Sequence, residues 1–135
     1  MDALRVRNCS WKNRLTELKD QIFLKMDVVY LNGQFIPWDQ ARISPDDRGF
    51  LFGDSIYEVT RWYGGYFFDL PSHAARFRRS LHETRIIWEE ESRFEEISEE
   101  LIHHNGLGTE CAMVYFQATR GVAPRTHAFP DPPVK

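Results

Sequence analysis

Asp47-Arg-Gly-Phe-Leu-Phe-Gly-Asp-Ser-Ile-Tyr-Glu-Val-Thr-Arg-Trp-Tyr63 changes character halfway along, and the rest of the chain is read outward from that change. Its first half is a tight turn punctuated by Gly49 and Gly53, which supply backbone freedom that residues with a Cβ lack. From Ser55 the pattern alternates, with Ile56, Glu58, Thr60 and Trp62 on one side and Tyr57, Val59, Arg61 and Tyr63 on the other. Period two in a stretch rich in β-branched and aromatic residues predicts a strand. Gly64-Gly65 then predicts a two-residue turn, with residues 66–70 returning as the hairpin partner. A glycine turn feeding a strand is suited to holding a polar side chain such as Tyr57 at the edge of a pocket.

Upstream, Val28–Leu31 reads as an apolar strand and residues 34–38 as its return. Asn32-Gly33 between them fits a type I′ turn, because both residues tolerate positive φ. Pro37 lacks an N–H donor, which assigns it to a sheet edge or a strand end. Pro45-Asp46-Asp47 makes the turn-rich connection to the opening motif. Residues 1–25 differ from the remainder. They hold six basic side chains against three acidic, whereas the other residues hold eleven against seventeen, for a net charge of −3. Residues 13–25 have the spacing of a short amphipathic helix through Leu15, Leu18, Ile22 and Phe23. Two readings follow, a targeting or docking helix or a leader ahead of a start at Met26. The expected organisation is an extension over 1–25, one domain over 26–130, and the start of a linker over 131–135.

Downstream, Pro71-Ser72 opens a helix with Ser72 as the expected N-cap. Ala74, Phe77, Leu81 and Ile87 fall on its buried face, with Arg76, Arg78, Arg79 and Arg85 around it. Ser92-Arg93-Phe94-Glu95 has the form of a capping box. It starts a second helix, buried through Phe94, Ile97, Leu101 and His104 and stopped by Gly106. Cys111–Thr119 alternates again and reads as another strand. Residues 120–130 form a loop stiffened by Pro124 and Pro130 and freed at one point by Gly121. Rigid loops that present arginine and histidine are common at binding sites, and on chemistry alone this one is as readily structural as ligand-binding.

Composition narrows the function. With 42% hydrophobic and 14% aromatic residues, the 135-residue chain can pack a core, as one small domain or part of a larger one. A net charge of −3 argues against nucleic-acid binding by phosphate neutralisation. No apolar run approaches the roughly 18 residues that a membrane helix needs. Cys9 and Cys111, far apart and without metal-ligand spacing, fit a reducing cytosol. His103 and His104 are adjacent and so diverge on a helix, which argues against a metal pair.

The 47–54 motif, Tyr57-Glu58-Val59, Gly65, His73 and Arg76, followed by residues 119–130, occur in one order. That order resembles the first domain of the fold-type IV, pyridoxal-phosphate-dependent aminotransferases, over residues 28–135. The family includes D-amino-acid aminotransferases, branched-chain aminotransferases and aminodeoxychorismate lyases. The resemblance implies an α+β fold, an antiparallel β-sheet of hairpins packed against two α-helices. It also implies a cytoplasmic homodimer with pyridoxal 5′-phosphate as cofactor. Arg76 matches the arginine that binds the cofactor phosphate, to which a planar fork of donors is suited. Tyr57, Arg125 and His127 fall on the positions that hold the substrate α-carboxylate in the D-amino-acid branch. Valine at position 59 leans the same way, since branched-chain enzymes usually carry glycine there. Each of these residues also has a structural reading: Tyr57 hydrogen-bonded in a sheet, His127 capping a turn, Arg125 paired with Asp131 or another acid.

The implied reaction moves an amino group between a D-amino acid, such as D-alanine or D-glutamate, and a 2-oxo acid, 2-oxoglutarate. In the family the Schiff-base lysine and the glutamate facing the pyridine nitrogen come from a second domain. Lys135 matches no catalytic lysine, and Lys12, Lys19 and Lys25 precede the family region. The 135-residue chain alone is therefore expected to be inactive. A branched-chain aminotransferase, an aminodeoxychorismate lyase, and a non-enzymatic domain that binds an anion or pairs with another subunit stay open as alternatives.

Overall fold

The two stretches with period-two alternation pair with each other along their whole length. In this structure, a computed structural model that describes residues 5–8, 27–131 and 133–134, they run antiparallel from Ser55 opposite Thr119 to Tyr63 opposite Cys111. In chain order the strands are β1 (Arg5–Asn8), β2 (Val28–Leu31), β3 (Gln34–Pro37), β4 (Ser55–Tyr63), β5 (Phe67–Phe68) and β6 (Cys111–Thr119). The helices are α1 (Arg48–Phe52), α2 (Leu70–Thr84) and α3 (Phe94–His104). One sheet has the order β1-β6-β4-β5, antiparallel throughout, and β2 with β3 forms a separate hairpin. This is the expected α+β arrangement. Within the stretch set apart as an extension, Arg5–Asn8 forms the edge strand beside β6, Arg5 opposite Tyr115. The helix expected over 13–25, together with Cys9, Lys12, Lys19, Lys25 and Lys135, lies outside the described residues.

The turns form where glycine and asparagine mark them. Asn32 and Gly33 take φ of 50° and 85°, and Leu31 pairs with Gln34 across the turn. Gly64 and Gly65 likewise take positive φ, and the Tyr63 amide donates to the Tyr66 carbonyl at 2.9 Å. β3 ends at Pro37, as the missing donor requires.

One face of the four-stranded sheet packs against α2 and α3. The even-numbered residues of β4 and β6 point that way, and Phe116 meets Phe77 of α2 and Phe94 of α3 with ring centroids 4.8 and 4.7 Å away. All three rings are fully buried, and burial of each such side chain stabilises the fold by roughly 1.5–3 kcal/mol. Asn105 ties the small hairpin to this layer. Its amide group donates to the Val28 and Leu101 carbonyls, and its carbonyl oxygen accepts from the Val28 amide at 2.9 Å. The other face of the sheet carries Tyr57, Tyr63 and Tyr115, all exposed. No helix among the described residues is long and apolar enough to cross a membrane.

The helix ends differ from expectation in three places. Asp69, in the left-handed conformation, precedes α2 where Ser72 was expected to cap it, because Pro71 already occupies the first turn. α2 closes at Arg85, also left-handed, so Ile87 lies beyond the helix and is half-exposed, and Ile86 fills the core position. The capping box does not form. Residues Glu91–Arg93 make a 3-10 turn, α3 starts at Phe94, and the Glu95 carboxylate accepts from Arg78 at 2.6 Å instead. Ile102 completes the buried stripe of α3, while His104 is exposed and lies against Phe35 at 4.6 Å. Gly106 stops the helix as expected, with φ of 65°.

Candidate functional site

Glu58 is an acidic residue on the apolar side of β4, where Ile56, Thr60 and Trp62 are its neighbours, and only 4% of its side chain is exposed. A buried carboxylate is costly unless paired, and α2 supplies the partners. Arg76 donates through Nε and Nη2 to the two carboxylate oxygens, the second bond being 2.6 Å, and His73 Nδ1 lies 2.8 Å from Oε2. His73 and Arg76 are three apart on the helix and so share a face. Burial pushes the Glu58 carboxyl up, but hydrogen bonds from Arg76 and His73 outweigh it and hold the group below the usual glutamate value. Arg76 itself is 55% exposed. Its Nη1 makes no bond among the described residues, so a guanidinium pinned along its inner edge turns free donors outward. Such an edge suits an anion, a phosphate in particular.

A second charged cluster holds the 120–130 loop. Asp47 caps α1 by accepting from the Gly49 amide at 2.8 Å, and its other oxygen accepts from the Thr119 hydroxyl at 2.9 Å. Arg48, 2% exposed, donates through Nε to Asp54 at 3.0 Å and through Nη1 to the Thr126 carbonyl at 2.7 Å. Arg120, 5% exposed, donates to both Asp54 oxygens at 2.7 and 3.0 Å and to the carbonyls of Thr84 and Arg85 that end α2. Phe129 covers the Arg120 guanidinium at 4.0 Å. Burial raises the Asp54 carboxyl, and the hydrogen bonds from Arg120 and Arg48 more than reverse this, leaving it below the usual aspartate value.

The structure sets the four expected binding residues in three separate places. Arg125 and His127 flank Thr126 on one loop. Arg125 is exposed and lies 3.8 Å from Asp46, an acid other than Asp131. The His127 ring lies 5.4 Å from Phe52 of α1. Tyr57 projects from the open face of the sheet and stacks on Tyr115, with centroids 5.5 Å apart and planes within 4°. Arg76 is on the opposite, helix-bearing side with Glu58. Among the described residues, no bond or ring contact joins Tyr57, Arg76 and the 125–127 segment to one another. Two open depressions lie elsewhere, one around Trp62, Leu70 and His103, the other around Trp88, Gly121 and Val122. The chain has no lysine between residues 26 and 134.

Sequence reasoning gave Glu58 no role, although its sign was present: an acid among apolar residues on one side of an alternating strand. Arg48, Asp54 and Arg120 also went without a role. Arg120 meets Asp54 across 66 residues of chain, and no spacing rule in one sequence reports such a pairing.

The family model for amino-transferase class IV matches residues 55–135. The chain is 41% identical over 111 residues to a D-alanine aminotransferase of Staphylococcus haemolyticus, covering 82% of this chain and 39% of that one. To a D-alanine aminotransferase of Listeria monocytogenes it is 37% identical over 107 residues, covering 76% and 36%. Among solved structures it is similar to the branched-chain amino acid aminotransferase of Escherichia coli, with a TM-score of 0.58 at 17% identity over 70% of this chain and 40% of that one. It is also similar to a branched-chain amino acid aminotransferase from Thermobaculum terrenum, with a TM-score of 0.56 at 18% identity over 70% and 39%. At these identities the structural likeness concerns the fold. The chain spans well under half the length of the curated relatives it matches.

Proposed function

The chain belongs to the amino-transferase class IV family, and we propose that it is the N-terminal domain of a pyridoxal-phosphate-dependent transaminase that moves an amino group between a D-amino acid and a 2-oxo acid. The likeness to D-alanine aminotransferases supports the D-amino-acid branch. The observation that carries the cofactor assignment is the Glu58–Arg76 pair: a buried carboxylate pins an exposed guanidinium whose outer donors suit the phosphate. When bound, pyridoxal phosphate supplies the electron sink for chemistry at the amino-acid Cα.

Holding the substrate falls to this chain's side chains. Arg125 pairs with the substrate α-carboxylate through two parallel bonds, and the His127 imidazole and Tyr57 hydroxyl add donors. Holding the carboxylate on one side of the cofactor decides which hand of amino acid presents its Cα hydrogen to the base. On this reading the lysine and the partner of the pyridine nitrogen belong to a second domain. The working protein is a cytoplasmic homodimer, and the 135-residue chain alone does not transaminate.

Pyridoxal phosphate titrated into the chain tests this. Arg76→Ala should weaken binding of both pyridoxal phosphate and inorganic phosphate about tenfold or more, the loss of a charge-assisted bidentate contact. No lysine should become fixed by borohydride. Unchanged affinity in Arg76→Ala would remove the phosphate role, and a single borohydride-fixed lysine would remove the division of labour between domains. A full-length protein active only on L-leucine, or only as a lyase on aminodeoxychorismate, would defeat the branch assignment.

A further inference from the structure

We propose that Arg48 is a positioning residue for the carboxylate grip, fixing the peptide that carries Arg125 and His127; this rests on the reading that those two side chains hold the substrate. Three of the ties that hold the 120–130 loop lead to Arg48 or Arg120. At the base, Arg120 is locked onto Asp54 and the end of α2, and the Arg48 amide donates to the Gly121 carbonyl at 2.9 Å. At the tip, Arg48 Nη1 holds the Thr126 carbonyl. At the far end, Phe129 lies over the Arg120 guanidinium.

The Thr126 tie bears directly on the proposed grip, because Thr126 sits between Arg125 and His127. Both of those side chains are exposed and weakly restrained. Arg125 has an ion pair at 3.8 Å, and His127 has a ring contact with Phe52, which itself lies 4.8 Å from the Arg48 guanidinium. Their aim is therefore inherited from the backbone between them and from Arg48 beside it. Only a guanidinium bridges Asp54 and the Thr126 carbonyl at once, since its donors leave a rigid fork in different directions. Lysine keeps the charge beside Asp54 and gives up the bridge. Loss of alignment on this scale is expensive, as displacements of about 1 Å cost catalysis up to 10²-fold.

Arg48→Lys separates positioning from folding, and Phe52→Leu, which leaves every ion pair in place, serves as a milder second variant. In the 135-residue chain, Arg48→Lys should speed hydrogen exchange at residues 125–128 about tenfold relative to amides of β4 and β6, with Phe52→Leu giving a smaller effect at the same residues. In the full-length transaminase, Arg48→Lys should raise KM for amino acid and 2-oxo acid together by about tenfold while pyridoxal phosphate affinity holds. Unchanged loop exchange in Arg48→Lys overturns the inference, and so does a parallel loss of pyridoxal phosphate affinity. A loosened loop with unchanged KM overturns it too, and Arg125→Ala in the same assay shows how far the failure reaches. If the KM of Arg125→Ala rises, the carboxylate reading stands and only the role of Arg48 is lost. If it also stays unchanged, the carboxylate reading is lost with it.

Discussion

Glu58 and Asp54 stand four residues apart, and each carboxylate has two side-chain partners, Arg76 and His73 for one and Arg48 and Arg120 for the other, yet the two clusters differ in what they expose. Around Asp54 both arginines are buried, and their donors go to the carboxylate and to carbonyls of Thr84, Arg85 and Thr126. Both guanidinium groups there are closed off from solvent. Around Glu58 the acid is buried, but Arg76 is half in solvent and keeps donors in reserve. Residue type alone does not separate a charged cluster that builds a fold from one that binds; the exposure of its arginine does.

Stability separates the two clusters most. Asp54→Ala should cost about 3–5 kcal/mol, because it leaves two buried guanidinium groups without their counter-charge. Arg76→Leu should cost less, since His73 still holds Glu58 and water reaches the vacated side. The Arg76 variant should nevertheless be the one that loses phosphate binding. Urea unfolding of both variants at pH 7 measures the gap. Equal losses would mean that Arg76 is as structural as Arg120.

Acid sharpens the same contrast. Both carboxyls are held below their ordinary values of 4.5 for Glu58 and 3.8 for Asp54. A group whose folded value is depressed stabilises the fold fully above its unfolded value and loses that contribution as pH falls through the folded one. Stability should therefore be flat near neutrality, begin to fall near pH 4.5 as Glu58 starts to contribute less, and fall further below pH 3.8 as Asp54 follows. Glu58→Gln should remove the upper part of that decline and spare the lower. An unfolding midpoint that falls identically in wild type and Glu58→Gln would show that Glu58 is not the first group to yield.

Much of the fold was legible because it is local. Period two marked β4 and β6, and Asn32-Gly33 and Gly64-Gly65 marked two hairpins, since those turns depend on two residues each. The helix caps were misread where a non-local partner intervened, as when Arg78 took the Glu95 carboxylate that a capping box would have used. Arg76 was found by its match to a family position, and its physical reason came only with Glu58 across the helix–sheet interface. The Arg48–Asp54–Arg120 cluster could not be derived from spacing, because it joins a turn, the end of α2 and a loop that meet only in the folded chain.

The smallest effect probes how rigid the Asp54 side is, through two glycines of the same turn. A Cβ on Gly49 would stand 2.8 Å from Thr119 Cβ and 2.9 Å from Asp47 Oδ1, well inside contact distance. Thr119 cannot rotate away, because its hydroxyl donates to Asp47 and accepts from the Gly121 amide. Gly49→Ala should therefore cost about 1–3 kcal/mol, as overpacking does in a site that cannot relax. Gly53 has open space around it but takes φ of 65°, so Gly53→Ala should cost only about 1 kcal/mol from the left-handed backbone. The two variants also separate by site, since Gly49→Ala pushes on the Thr119–Asp47–Gly121 contacts at the base of the loop. Hydrogen exchange at residues 120–122 should rise in Gly49→Ala and stay put in Gly53→Ala. Equal exchange in the two would mean that the loop base absorbs a methyl group without yielding, and that the Asp54 side is softer than its bonding implies.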